Sequence, residues 1–180
     1  MGFFNILGNN MFDALKEILK SPFRDFSIWW ILAPVFILWV VLELYFAKHQ
    51  NEELGWNTAL GNGISLAWIT VTLMKYLFEN NMVNFNWLKF IIVLLIMCYG
   101  FFVAYTSFKH YFSPETTFLL ASPSPIYYLS TIAILWSYNV LEISLYVILD
   151  LIIIYLIVIG IFALIRKYMP IGEDNFLDTF

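Results

Sequence analysis

Three stretches of this chain, 27–47, 87–108 and 141–165, run for more than twenty residues with no more than two charges each. At 1.5 Å per residue the shortest extends about 31 Å, one hydrocarbon thickness of a bilayer. In hydrocarbon every backbone polar group needs an internal partner, which leaves helices or closed barrels. Runs of this length without period-2 alternation are helical. The feature therefore restricts the chain to a bundle of membrane-crossing helices.

Composition agrees and closes other classes. Hydrophobic residues make up 62% of the 180 residues and aromatics 20%. Charged residues are 12%, against roughly 25% in globular chains. Mean hydropathy is +0.80. A water-soluble protein of this size has too little interior for so much apolar surface. That excludes a soluble enzyme and a disordered chain. With 9 Lys and Arg against 13 Asp and Glu, no basic surface for nucleic acid is expected. The single cysteine, Cys98, permits no internal disulfide, and His49 and His110 lie in no metal-ligand spacing, so no metal or other cofactor is implied. The first 25 residues lack the apolar core and small-residue cleavage site of a signal peptide, and none is expected.

The fold class expected is all-α: an interfacial helix followed by four or five transmembrane helices in one membrane domain spanning 1–180. Residues 3–20 are amphipathic, with Phe4, Leu7, Met11, Leu15 and Ile18 on one stripe and Phe3, Phe12 and Leu19 widening it. Ile6 is an apolar exception on the polar face. Pro22 ends this helix, which either lies flat at the bilayer interface or docks on the protein's own loops. Segments 27–47, 57–78, 87–108, 117–138 and 141–165 follow, with an acidic tail at 168–180. Pro34 should kink the first crossing without stopping it. Trp29, Trp30, Tyr45 and Trp87 sit where aromatic belts form.

The crossing count turns on 117–138, broken at Ser122-Pro123-Ser124-Pro125 and bounded by Trp136-Ser137-Tyr138-Asn139. If it crosses, Lys16, Lys20, Arg24, Lys75 and Lys89 share one face, and Lys48, Lys109, Arg166 and Lys167 the other. If it is re-entrant, Arg166 and Lys167 join the first group. The positive-inside rule prefers the re-entrant form. Hydropathy and length prefer the crossing.

The few ionisable groups inside these runs are the natural functional candidates, because a charge in hydrocarbon is costly. Asp150 lies eight residues past Glu142, about 12 Å deeper by helical rise, among Ile148, Leu149, Leu151 and Ile152. It either handles protons or cations or hydrogen-bonds another helix. Glu142, at the start of the last helix, fits a cap-like role at the positive end of the helix dipole. Glu43, near the end of the first crossing, is expected to reach the interface or pair with Lys48. Glu52 and Glu53 are expected to be solvated. In the second crossing Asn57, Gly61, Ser65 and Thr72 fall near one stripe, with Asn62 beside it. Gly61 and Ser65 fit the small-xxx-small packing pattern, and the polar groups fit a hydrated path. Ser122 and Ser124 are placed to cap the next helix. His110, Glu115 and Ser122 cluster near one membrane face and are the only candidates for an acid–base site.

The function expected is that of a small integral membrane protein, a transporter or channel component moving protons, ions or a small solute. Asp150, Glu142, Glu43, Asn57, Asn62, Ser65 and Thr72 would line its pathway. The alternative is a non-catalytic subunit scaffolding or anchoring a larger complex, with the same residues as packing groups. Partners expected are the lipid bilayer and either further copies of the chain or a larger membrane complex. The cell membrane is the expected location.

Overall fold

The computed structural model describes residues 3–49, 55–80 and 85–170, with side chains from residue 8 onward. The expectations for Glu52, Glu53 and most of the acidic tail (171–180) fall outside the described residues. The described chain is helical: α1 (Phe3–Lys20), α2 (Trp29–Lys48), α3 (Trp56–Asn80), α4 (Trp87–Phe108), α5 (Pro114–Ala121), α6 (Pro123–Ser137) and α7 (Leu145–Tyr168). Among the described residues, four segments are long and apolar enough to cross a membrane: Phe26–Lys48, Trp87–Phe108, Pro114–Ser137 and Leu145–Tyr168. The protein is a polytopic helical membrane protein. Helix α3, at 25 residues, is about 37 Å long but less apolar, because Asn57, Asn62, Ser65, Thr70 and Thr72 interrupt it.

Short turns fix the helix ends. Ser21–Phe23 closes α1, where the Ser21 hydroxyl donates to the Ile18 carbonyl at 2.7 Å and Pro22 cannot continue the ladder. The indole of Trp29 donates to the Pro22 carbonyl at 2.9 Å, tying the start of α2 to this turn. Pro34 lies inside α2 without ending it. Asn86 caps α4 by accepting from the Lys89 N–H at 3.1 Å. Ser144, not Glu142, caps α7, accepting from the Val147 N–H at 3.3 Å. The last helix thus begins at Leu145, four residues later than the hydropathy run. Glu142 is left in the preceding turn, its N–H donating to the Glu17 carboxylate at 3.3 Å.

Two ends of the bundle can be defined by these contacts. At the α1 end, Arg24 donates to the Val140 carbonyl at 2.9 Å and pairs with Glu17 at 3.6 Å. There Tyr76 stacks on Tyr138, and Lys89 reaches Asn139. At the opposite, Glu43 end, Trp56 stacks on His110 and Arg166 meets Glu43. Helices α2, α3, α4, the α5–α6 pair and α7 therefore alternate in direction, with α2 and α7 parallel. The α5–α6 segment starts beside the His110 turn and finishes beside Lys89, so it joins the two ends. This overturns the re-entrant form, in which 117–138 would return to the end it entered. The positive-inside preference for that form rested on Arg166 and Lys167 lying with Arg24, and they lie at the other end.

The core is built around α5–α6 and α3. More than half of the most apolar 18 residues of α5–α6 are buried, against 11% of those of α7. Helix α3 packs most extensively on α4. The contact seam is Gly63 and Ala67 against Gly100 and Ala104. A methyl built on Gly63 would lie 2.7 Å from the Ala104 nitrogen and 2.8 Å from the Gly100 oxygen. Gly61 has nothing within 4 Å, so the small-xxx-small face is Gly63–Ala67 rather than Gly61–Ser65. Helix α1 lies along α7, with Ala14 and Ile18 buried and Met11 and Leu15 half-buried. Phe12 and Leu19, on the flank of the stripe, are exposed. The helix thus divides its apolar stripe between its own bundle and its surroundings.

Candidate functional site

The break between α5 and α6 gathers buried polar side chains from several helices, and its cause is local. Pro123 pushes Ser122 out of the helical region, to φ −61 and ψ 149, and Pro125 has no N–H to offer the turn. The last carbonyls of α5 are therefore left without helical donors. Side chains from two other helices supply them. Asn62 of α3 donates to the Ala121 carbonyl at 2.8 Å, and the Tyr99 hydroxyl of α4 donates to the Leu120 carbonyl at 2.6 Å. Asn62 is turned so that its own oxygen accepts from the Tyr127 hydroxyl at 2.9 Å. Ser65, one turn along α3, stands beside the same Tyr127. Irregular backbone at depth is tolerated where protein groups satisfy it in this way.

Next to the break lies a buried ionic group. The Ser124 hydroxyl donates to Glu43 Oε1 at 2.6 Å and accepts from the Trp39 indole at 3.3 Å. Arg166 of α7 approaches Glu43 Oε2 at 3.4 Å. The Glu43 side chain is 6% exposed, whereas that of Arg166 is 42% exposed. A carboxylate so deeply placed needs both the cation and the hydroxyl. Glu43, Ser124 and Arg166 line a cavity of about 200 Å³ together with Ser122, Pro123, Phe46, Phe118 and Tyr155. A second, open groove of about 460 Å³ separates α2 from α3, and Ser65, Thr72 and Tyr127 lie along it.

The residues singled out from sequence divide accordingly. Glu43 is central, but its partner is Arg166 rather than Lys48. Asn62 clamps the break, while Ser65 and Thr72 line the α2–α3 groove, the Thr72 hydroxyl bonding the Trp68 carbonyl of its own helix at 3.1 Å. Asn57 is exposed in the first turn of α3. Asp150 is buried on the inner side of α7 beside Val147 and Leu151, and its Oδ2 makes no hydrogen bond among the described residues. It lies five residues past Leu145, about 7.5 Å into the helix, nearer the α1 end than the hydropathy run implied. Glu142 is exposed in the turn. Ser122 and Ser124 make no side-chain cap on α6, because Ser124 is drawn to Glu43 instead.

The membrane-face trio is not assembled. His110, at φ 50, stacks on Trp56 with ring centroids 4.0 Å apart. Glu115 is exposed in the first turn of α5, and Ser122 follows seven residues later, about 10 Å along the axis. Trp39, Tyr99, Tyr127 and Arg166 were not singled out from sequence as site residues, and Ser124 was read only as a helix cap. No family model, curated protein or solved structure matches this chain. The polar geometry of the bundle is accordingly what bears on function.

Proposed function

We propose that this integral membrane protein is a transporter or channel component, moving protons, ions or a small solute as part of a homo-oligomer or larger membrane complex. The observation that carries the reading is the interrupted α5–α6 helix beside the Glu43–Arg166 pair and the small cavity that this pair lines. A broken helix at depth, with polar groups gathered around it, offers binding chemistry that an unbroken apolar crossing lacks. Glu43 and Arg166 present both signs of charge to a solute entering at that end. Asp150, 16 residues before Arg166 on α7 and so about 24 Å away, places a second carboxyl near the opposite end. Tyr128 and Tyr155, whose ring centroids are 5.0 Å apart, lie between the two levels.

A second reading has its own support. Helix α7 leaves Leu145, Ile152, Leu156, Ile157 and Leu164 exposed along its length, a surface that suits a neighbouring membrane helix. On that reading the chain is a scaffolding or anchoring subunit, and the polar groups serve to hold the break together.

Flux separates the two. Reconstituted protein should pass protons, monovalent ions or a small zwitterion above the level of empty liposomes. Glu43→Gln and Asp150→Asn should each lower that flux about tenfold, the scale of 1.4 kcal/mol in a barrier. A folded protein that passes none of these probes and instead purifies with a fixed partner is the scaffold. Flux unchanged by both substitutions would remove the proposed pathway.

A further inference from the structure

Lys89 is a buried cation with no carboxylate at ion-pair distance among the described residues, and it sits at the mouth of an apolar groove. Its residue is 7% exposed, and among the described residues it forms no ion pair. The ammonium donates to the Trp136 carbonyl and to Asn139 Oδ1, and lies 5.4 Å from the Trp136 ring. An ammonium has three donors, so one N–H is left over, and the Glu142 carboxylate acts on the charge without reaching ion-pair distance. The groove that Lys89 lines runs between α4 and α7 with α6 as its floor, and has a volume of about 670 Å³. Its walls include Leu88, Ile92, Ile96, Leu129, Ile132 and Ile152.

The groove's length and the cation at its end select an occupant. From Asn86 to Ile96 the groove follows α4 for ten residues, about 15 Å, which is the depth of one leaflet's hydrocarbon. A lipid chain lying along it reaches the leaflet's midplane, with its headgroup phosphate beside the Lys89 ammonium. We infer that this groove binds one anionic glycerophospholipid, with an acyl chain between α4 and α7 and its phosphate accepting the remaining Lys89 N–H. Its charged end lies at the α1 end, away from Glu43, although Tyr155 lines both the groove and the Glu43 cavity, and the site does not depend on the transport reading.

Native mass spectrometry of the delipidated protein tests this with phosphatidylglycerol and phosphatidylcholine. Phosphatidylglycerol should bind about tenfold more tightly, the scale of one charge-assisted hydrogen bond. Lys89→Gln should erase that preference. Ile152→Trp, at a position that is 53% exposed, should fill the groove without disturbing the core and lower binding of both lipids. If Lys89→Gln fails to fold, Ile152→Trp alone decides. Equal binding of the two lipids to the native chain would overturn the proposal. So would lipid binding that Ile152→Trp leaves unchanged, or a dimer seated in the groove that Ile152→Trp dissociates.

Discussion

Gly63→Val is expected to destabilise the protein by about 3 kcal/mol, while Gly61→Val, half a turn away on the same helix, shifts it by no more than about 0.5 kcal/mol. The contrast follows from what each added side chain would meet. At Gly63 the first methyl alone would sit 2.7 Å from a backbone nitrogen and 2.8 Å from a backbone oxygen of α4. Backbone atoms cannot rotate aside, so the two helices must separate along the Gly63–Ala67 and Gly100–Ala104 seam. Without a hydrophobic force between helices in lipid, close packing is what holds them, and separation forfeits it. At Gly61 the same side chain enters open space. Denaturant titration in detergent micelles, followed by circular dichroism, measures both variants against the native chain. Equal effects at the two positions would mean that the α3–α4 contact runs along a different face.

Asn62→Leu is expected to cost a further large amount, about 2–3 kcal/mol, with little change in side-chain volume. Asn62 is 2% exposed and uses both ends of its amide, donating to Ala121 and accepting from Tyr127. Leucine leaves the Ala121 carbonyl unpaired inside the bundle, at about 1–3 kcal/mol, and removes the acceptor of the Tyr127 hydroxyl. Tyr127 retains Ser65 beside it, so the loss there is smaller. Tyr99→Phe frees only the Leu120 carbonyl and should cost about 1 kcal/mol. The double variant should cost less than the sum, because the break relaxes once either clamp is gone. The same titration reads all three. A neutral Asn62→Leu would show that the exposed carbonyls find other donors, and the break would then need no clamp.

Much of the architecture was legible because hydrocarbon imposes lengths. The apolar runs give the crossings, and the Ser-Pro-Ser-Pro sequence places the break between α5 and α6. What escaped depended on partners distant in sequence. Gly61–Ser65 and Gly63–Ala67 share the same four-residue spacing, and only the facing Gly100 and Ala104 choose between them. Glu43 and Lys48 are close in sequence, but five residues along a helix point to different sides. Its partner Arg166 is 123 residues away, brought near only because α2 and α7 run parallel. Lys89 reads as an interfacial charge next to Trp87. Its burial comes from the end of α6, where the Trp136 carbonyl and Asn139 fold over it. Glu142 lost its expected place at a helix start because Ser144 is the better cap.

The account depends most on the α5–α6 segment passing from one end of the bundle to the other with its break inside. Single cysteines at Lys109, Glu142 and Lys167, in a Cys98→Ala background, test this when a membrane-impermeant thiol reagent is applied to sealed, oriented vesicles. The prediction is that positions 109 and 167 label from the same side and position 142 from the opposite side. Labelling of 109 and 142 from one side would make the segment re-entrant, and would contradict both the through-running helix and the cavity built on it.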